Sequence, residues 1–129
     1  MSETSFHANE TSYAWELDPW DEDREARIRV KTFVSSDRTP SLGVSMGICE
    51  LPPGAVLDPH HHHPREVYYV TAGEAEIYRE GKWRPMRRGD VLYFPPDSVH
   101  GARNRGAATC IWVWVFPADC YDDIEYFAD

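Results

Sequence analysis

An all-β fold is what this sequence predicts, and three observations predict it. From Arg27 onward apolar residues recur with period two, the mark of strands that bury one face. The candidate strands are short and are separated by turns rich in Gly and Pro. No stretch carries a sustained apolar stripe of helical period; the one helical candidate is a short turn near Cys120 to Tyr126. Together they argue a sandwich or a barrel.

The elements follow in order. Ile28, Val30 and the pair Phe33-Val34 predict a first strand, and Leu42 to Leu51 a second, across the turn-rich Ser35 to Ser41. Pro52-Pro53-Gly54 is a turn. Val67 to Thr71 is a strand that stops at Ala72-Gly73, Glu74 to Arg79 another, and Glu80-Gly81-Lys82 a hairpin turn leading back through Trp83 to Met86. Arg88-Gly89-Asp90 turns again into Val91 to Phe94, which ends at Pro95-Pro96-Asp97 because proline cannot continue a ladder. His100 to Asn104 and Thr109 to Phe116 complete the set. In the last, Cys110, Trp112, Trp114 and Phe116 alternate with Ile111, Val113 and Val115, so both faces are apolar: one lines the interior, and the other meets a second sheet or a second subunit.

At 129 residues the chain is one domain by size. The expected organisation is a partly ordered N-terminal extension over 1–26 that drapes over the domain or frays, a barrel body over 27–118 and an acidic tail over 119–129. Asp and Glu outnumber Lys and Arg by 22 to 13, for a net charge of −9, a field that repels nucleic acid and anionic membrane alike. Much of that acid sits in Glu16 to Glu25 and Asp119 to Asp129, where it serves solubility. The three cysteines, Cys49, Cys110 and Cys120, are odd in number and not closely spaced, which suggests a reducing compartment. Met1 to Thr11 has no apolar stretch, so neither a secretory leader nor a membrane span is expected there, and cytoplasm is the default.

Between Gly54 and Gly73 the chain packs His60, His61, His62, His63 and Glu66 into seven residues. Such a run can be a solvated loop, but this one leads into Val67-Tyr68-Tyr69-Val70, a stretch of strong strand propensity. His60, His62 and Glu66 are all even-numbered, so on one extended strand they share a face, and imidazoles with a carboxylate are what a borderline divalent metal takes. His100 offers a fourth ligand from another strand. Tyr68 has the parity of Glu66 and should point inward, either as a core phenol with its hydroxyl bonded or as a general base whose pKa a nearby cation lowers.

Two spacings give the chain a family likeness. Gly54, His60, His62, Glu66 and Gly73 meet the pattern G, five residues, H-x-H, three or four residues, E, six residues, G. Gly89, Pro95, His100 and Asn104 meet G, five residues, P-x-G, two residues, H, three residues, N, with Asp97 standing where the pattern has glycine. Asp tolerates the left-handed turn conformation better than most residues. Over residues 28 to 116 the chain thus resembles the cupin superfamily.

The resemblance implies a double-stranded β-helix, a jelly-roll barrel, holding one divalent transition metal per chain (Fe, Mn, Ni, Zn or Cu) on His60, His62, Glu66 and His100. His61 and His63 become rim or supporting residues, since a shift by one breaks the spacing. Open metal positions point to an enzyme on a small molecule, a carboxylate or an oxygenated compound, by dioxygenase chemistry or by Lewis-acid lyase or isomerase chemistry. The arrangement Glu66-Val67-Tyr68 resembles the ligand-x-tyrosine placement of cupin dimethylsulfoniopropionate lyases, which casts Tyr68 as the catalytic base. A non-catalytic binding or sensor cupin is the alternative. A homodimer pairing through its sheets is the expected assembly, with no nucleic-acid or membrane partner.

Overall fold

In a computed structural model, which describes residues 2–18 and 24–128, the chain is almost wholly β. Trp20, the acidic residues 21–23 and Asp129 lie outside the described residues. Eleven strands are seen among those described: β1 (Glu16–Leu17), β2 (Arg29–Val34), β3 (Ser45–Leu51), β4 (Val56–His61), β5 (Glu66–Ala72), β6 (Glu74–Arg79), β7 (Lys82–Arg87), β8 (Val91–Phe94), β9 (His100–Arg103), β10 (Cys110–Phe116) and β11 (Phe127–Ala128). They form two antiparallel sheets, one in the order β1-β2-β3-β10-β5-β8 and the other in the order β11-β4-β9-β6-β7. Two sheets closing face to face on one core make a jelly roll, the barrel that the family resemblance implies and one of the class that the turn spacing predicts.

The strand pattern follows from burial. On β10, Cys110, Trp112, Trp114 and Phe116 point inward and are buried, while Ile111, Val113 and Val115 are half-buried on the other face. On β5 the same alternation buries Glu66, Tyr68 and Val70 and exposes Val67 and Tyr69. Leu51, Phe94, Ile77, Met86 and Ala102 close the core from the neighbouring strands. Each large apolar side chain taken fully out of water contributes about 1.5–3 kcal/mol, so these inward rows hold the sheets together.

Three strands escaped the sequence reading, the short terminal β1 and β11 and the longer β4. β4 runs through Val56-Leu57-Asp58-Pro59-His60-His61, whose Asp, Pro and His content carries little strand propensity. It becomes a strand because β9 pairs with it, with a register shift between Leu57 and His60 that absorbs Pro59. Beyond it, a helical turn over Tyr121–Asp123 stands where the short helical candidate was expected.

Both ends of the chain add to the sheets. β1 pairs with β2, and β11 with β4. Before β1, Tyr13 packs edge-on to Phe33 and gives its hydroxyl hydrogen to the Phe33 carbonyl, and Trp15 lies under Arg29 and Lys31. After β10, Ile124 is buried in the core and Tyr121 stacks on Trp114. Tyr13 to Leu17 and Tyr121 to Ala128 thus pack on the sheets.

Gly101 is where the backbone of β9 passes closest to β4. A Cβ there would come within 2.7 Å of the Leu57 carbonyl oxygen and 2.8 Å of the Pro59 nitrogen, both backbone atoms that cannot swing aside. Gly101→Ala is expected to lower the urea-unfolding free energy by about 1–3 kcal/mol through this overpacking. Gly106→Ala, whose new methyl approaches nothing closer than 3.4 Å, should stay within about 0.5 kcal/mol. Equal effects in the two variants would refute the close-approach reading.

Candidate metal centre

Three strands and one loop bring the site together. His60 on β4 and His100 on β9 are direct cross-strand partners, with ring centroids 4.5 Å apart. His62 follows the end of β4, and Glu66 opens β5 in the opposite sheet. The parity argument from one extended strand therefore needs correction. Pro64 lies between β4 and β5, where the chain crosses from one sheet to the other, so His62 and Glu66 converge from two facing walls rather than from one strand face.

The four side chains are buried: His60 2%, His62 1%, Glu66 5% and His100 0% exposed. One ring nitrogen of each of His60, His62 and His100 lies within 4.8 Å of the others. Each ring is oriented by the backbone two residues away. His60 Nδ1 faces the Asp58 carbonyl at 2.8 Å, His62 Nδ1 the Pro64 carbonyl at 2.8 Å, and His100 Nδ1 the Ser98 carbonyl at 2.9 Å. A carbonyl only accepts, so each Nδ1 carries the proton and the lone pair falls on Nε2. Packing fixes the planes: Phe94 stacks on His100 at 4.1 Å, and Phe116 meets His62 edge-on at 5.1 Å.

That tautomer creates a conflict at the centre. His62 Nε2 and His100 Nε2 both lie 3.1 Å from the same Glu66 oxygen, Oε1, with lone pairs on both sides of each contact. Adding a proton to each ring would bury two positive charges against one negative, beside a third ring. A divalent cation among the three rings would answer their lone pairs, so the His60, His62 and His100 set fits a metal of the imidazole-preferring class, with the Glu66 carboxylate beside two of the rings.

The protonation states point the same way. Burial pushes the His60 ring down to about 4, helped by His100, so it is neutral at pH 7. Burial raises the Glu66 carboxyl, but the His100 and His62 rings beside it outweigh burial and leave the group below the usual glutamate value. Burial, with the Glu66 charge next, pushes the Tyr68 phenol well above its ordinary range, so without a cation it stays protonated.

The site opens into a cavity of about 520 Å³ on the inside of the barrel. His60, Glu66 and Tyr68 lie on its floor with Trp112, and Trp114 and Tyr126 are among its walls. Tyr68 is buried, stacks on Trp112 and faces His100 edge-on at 6.1 Å. Sequence reasoning missed Tyr126, whose ring centroid lies 5.4 Å from that of His60 and 5.3 Å from that of His62. It also missed Arg38, which lines the cavity and bonds both Glu16 of β1 and Asp122 of the helical turn. Nothing in the sequence around either residue marks it, because both act through partners more than 20 residues away.

His61 and His63 stay outside this cluster. His61 faces Asp97 and stacks on Phe127, and His63 is largely exposed. Asp97 adopts φ +60°, the left-handed conformation expected at the position where the motif has glycine. Asn104 is buried and structural: its amide donates to the Leu51 and Ala108 carbonyls, and its backbone pairs with Gly54 and Ala55.

Residues 47–116 match the cupin domain family. This chain belongs to the cupin family. Among curated proteins it is 29% identical over 99 residues to a dimethylsulfoniopropionate lyase, DddW, of Ruegeria pomeroyi, covering 77% of this chain and 64% of that protein. The chain spans less than two thirds of the length of the first curated relatives it matches. Among solved structures it resembles the polyketide cyclase RemF of Streptomyces resistomycificus, with TM-score 0.79 and 16% identity over 97% of this chain and 85% of that one. A cupin from Shewanella frigidimarina aligns with TM-score 0.72 and 19% identity over 95% and 98% of the two chains. These two likenesses establish the fold. The cupin relatives act on or bind different small molecules under one architecture.

The metal-free state should be acid-sensitive. His60 has its folded pKa, about 4, below the unfolded value near 6.5, so the unfolded chain takes up the proton first and stability falls as pH drops through that window. Glu66, held below its usual value, adds a loss in the same direction at lower pH. Chelator-treated protein is expected to lose about 3 kcal/mol of unfolding free energy between pH 7 and pH 4 from His60 alone, and His60→Asn should flatten most of that slope. A flat profile in the unmutated chain would contradict the buried neutral ring.

Proposed function

We propose that this cupin is a metal-dependent enzyme in which His60, His62, Glu66 and His100 hold one divalent transition metal and the cavity above them holds a small oxygen-bearing substrate. The observation that carries the reading is the donor-free contact of two imidazole lone pairs with Glu66 Oε1. A bound divalent ion supplies Lewis acidity, drawing electron density from a substrate oxygen and acidifying the neighbouring C–H bond.

The chain's own residues do the rest. His60, His62, Glu66 and His100 would hold the ion, and an ion that takes more than four ligands would have room for a substrate oxygen. Trp112 and Trp114 give the cavity apolar walls that exclude water from the reacting atoms. Tyr68, on the cavity floor beside the ligands, is the proposed proton-transfer group; its phenol is held neutral by burial until a nearby positive charge lowers its pKa. Tyr126 is the second phenol within reach. Two phenols beside the ligand set favour proton-transfer chemistry of the lyase or isomerase type, which the likeness to a dimethylsulfoniopropionate lyase supports. Dioxygenase chemistry on the same ligands is the competing reading, and a non-catalytic binding module the third.

Protein purified without added metal is expected to hold about one transition ion per chain, lost in His62→Ala and His100→Ala and kept in His61→Ala. Turnover of small carboxylates should proceed without oxygen uptake, fall at least about 100-fold in Tyr68→Phe and be abolished by chelation. Stoichiometric oxygen consumption would move the assignment to a dioxygenase. Metal binding without turnover of any carboxylate would leave a binding module.

The outer face of the larger sheet supports self-association. Val67, Tyr69, Val91 and Tyr93 of the adjacent strands β5 and β8 are exposed together, an apolar surface on a chain of net charge −9. A homodimer through this face is the proposed assembly. The three buried free thiols fit a reducing compartment, and cytoplasm is the proposed location. No helix among the described residues is long and apolar enough to cross a membrane. Sedimentation should give twice the chain mass of 14.9 kDa, and Val91→Lys should return it to the monomer. A monomeric wild type would refute the dimer.

A further inference from the structure

Three chemistry-bearing residues remain that the inner site does not use: His61 and His63 from the histidine run, and Asp97 in place of the motif glycine. The fold brings them to one spot. His61 ends β4 with its side chain on the opposite face from His60, and the Asp97 backbone N–H donates to the His62 carbonyl at 2.8 Å, clipping the Asp97 turn onto the histidine run. The two carboxylate oxygens are then shared out. His61 Nδ1 lies 3.5 Å from Asp97 Oδ1, and His63 Nδ1 lies 3.3 Å from Asp97 Oδ2.

Those separations are long for hydrogen bonds, which cluster near 2.9 Å. The two rings approach different oxygens of one carboxylate, so Asp97 stands between two imidazoles. A second observation points the same way. His61 Nδ1 is itself enclosed and makes no hydrogen bond, an orphaned lone pair or N–H that costs free energy as it stands. Phe127 stacks on the ring at 5.3 Å and holds it in that plane. Asp97 pays for its place too, since φ +60° is unfavourable for any residue with a side chain.

We propose that His61, His63 and Asp97 form a second, solvent-facing site for a divalent transition metal on the outside of the barrel, separate from the inner one. The ligand class is an imidazole-preferring ion such as Zn²⁺, Ni²⁺ or Cu²⁺, with water completing its coordination. His63 is 86% exposed, and its ring would have to turn toward His61 for the three side chains to share one ion. With three ligands and open access to water, the outer site binds more weakly than the buried one. The proposal does not rest on the inner ligand set.

The test is calorimetric titration of the chelator-stripped chain with Zn²⁺ at pH 7.5, beside Asp97→Gly, His61→Gln and His62→Ala. Asp97→Gly carries the residue best suited to φ +60° and should keep its far-UV circular dichroism. The wild type is expected to show a weaker binding event that disappears in Asp97→Gly and in His61→Gln and persists in His62→Ala. An Asp97→Gly variant that binds as many ions as the wild type overturns the proposal. So does a single event removed by His62→Ala and Asp97→Gly alike, since the two sets would then be one site.

Discussion

The structure turns on a contact that would be repulsive on its own: two imidazole lone pairs and a carboxylate oxygen, buried together, with every ring N–H already committed to the backbone. Buried polar groups normally find partners, and a chain that left these to repel one another would lose several kcal/mol. The carbonyls of Asp58, Pro64 and Ser98 hold the rings in the tautomer that produces the conflict, so the arrangement is built rather than incidental. Three buried imidazoles whose ring nitrogens lie within 4.8 Å of one another are a set that could hold a metal ion, and the packing of the barrel around them fixes that set.

The barrel is organised around that point. β4 and β9 pair so that His60 and His100 sit opposite one another, Gly101 lets their backbones approach, and Phe94 backs the His100 ring. Glu66 arrives from the other sheet because the chain crosses the barrel just after His62. Rows of Trp, Phe and Tyr pack around the site and give the interior an apolar surround. Tyr121 and Ile124 near the C-terminal end, and β1 near the N-terminal end, add the parts of the cavity wall that the central strands leave open.

Fold and inner site were legible because each rests on local rules. Period-two alternation reads out a strand without any partner, and the spacings from Gly54 to Gly73 and from Gly89 to Asn104 read out a family. β4 was illegible because its strand character comes from β9, not from its own residues. The convergence of His62 and Glu66 was anticipated for the wrong reason, since parity has no meaning across a sheet-to-sheet crossing. Tyr126 and Arg38 were invisible because they reach the cavity through tertiary placement, from segments that read as tail and loop. Asp97 was noticed as a departure from the motif, but only the structure shows its carboxylate lying between His61 and His63.

The central claim is that one divalent ion belongs at the focus of His60, His62, Glu66 and His100. Anomalous diffraction from a crystal of protein purified without added metal, recorded above and below the absorption edge of the ion present, tests it most directly. The account expects one strong peak inside the barrel, within ligand distance of the three Nε2 atoms and Glu66 Oε1. Strong anomalous density elsewhere and none at that focus would contradict it.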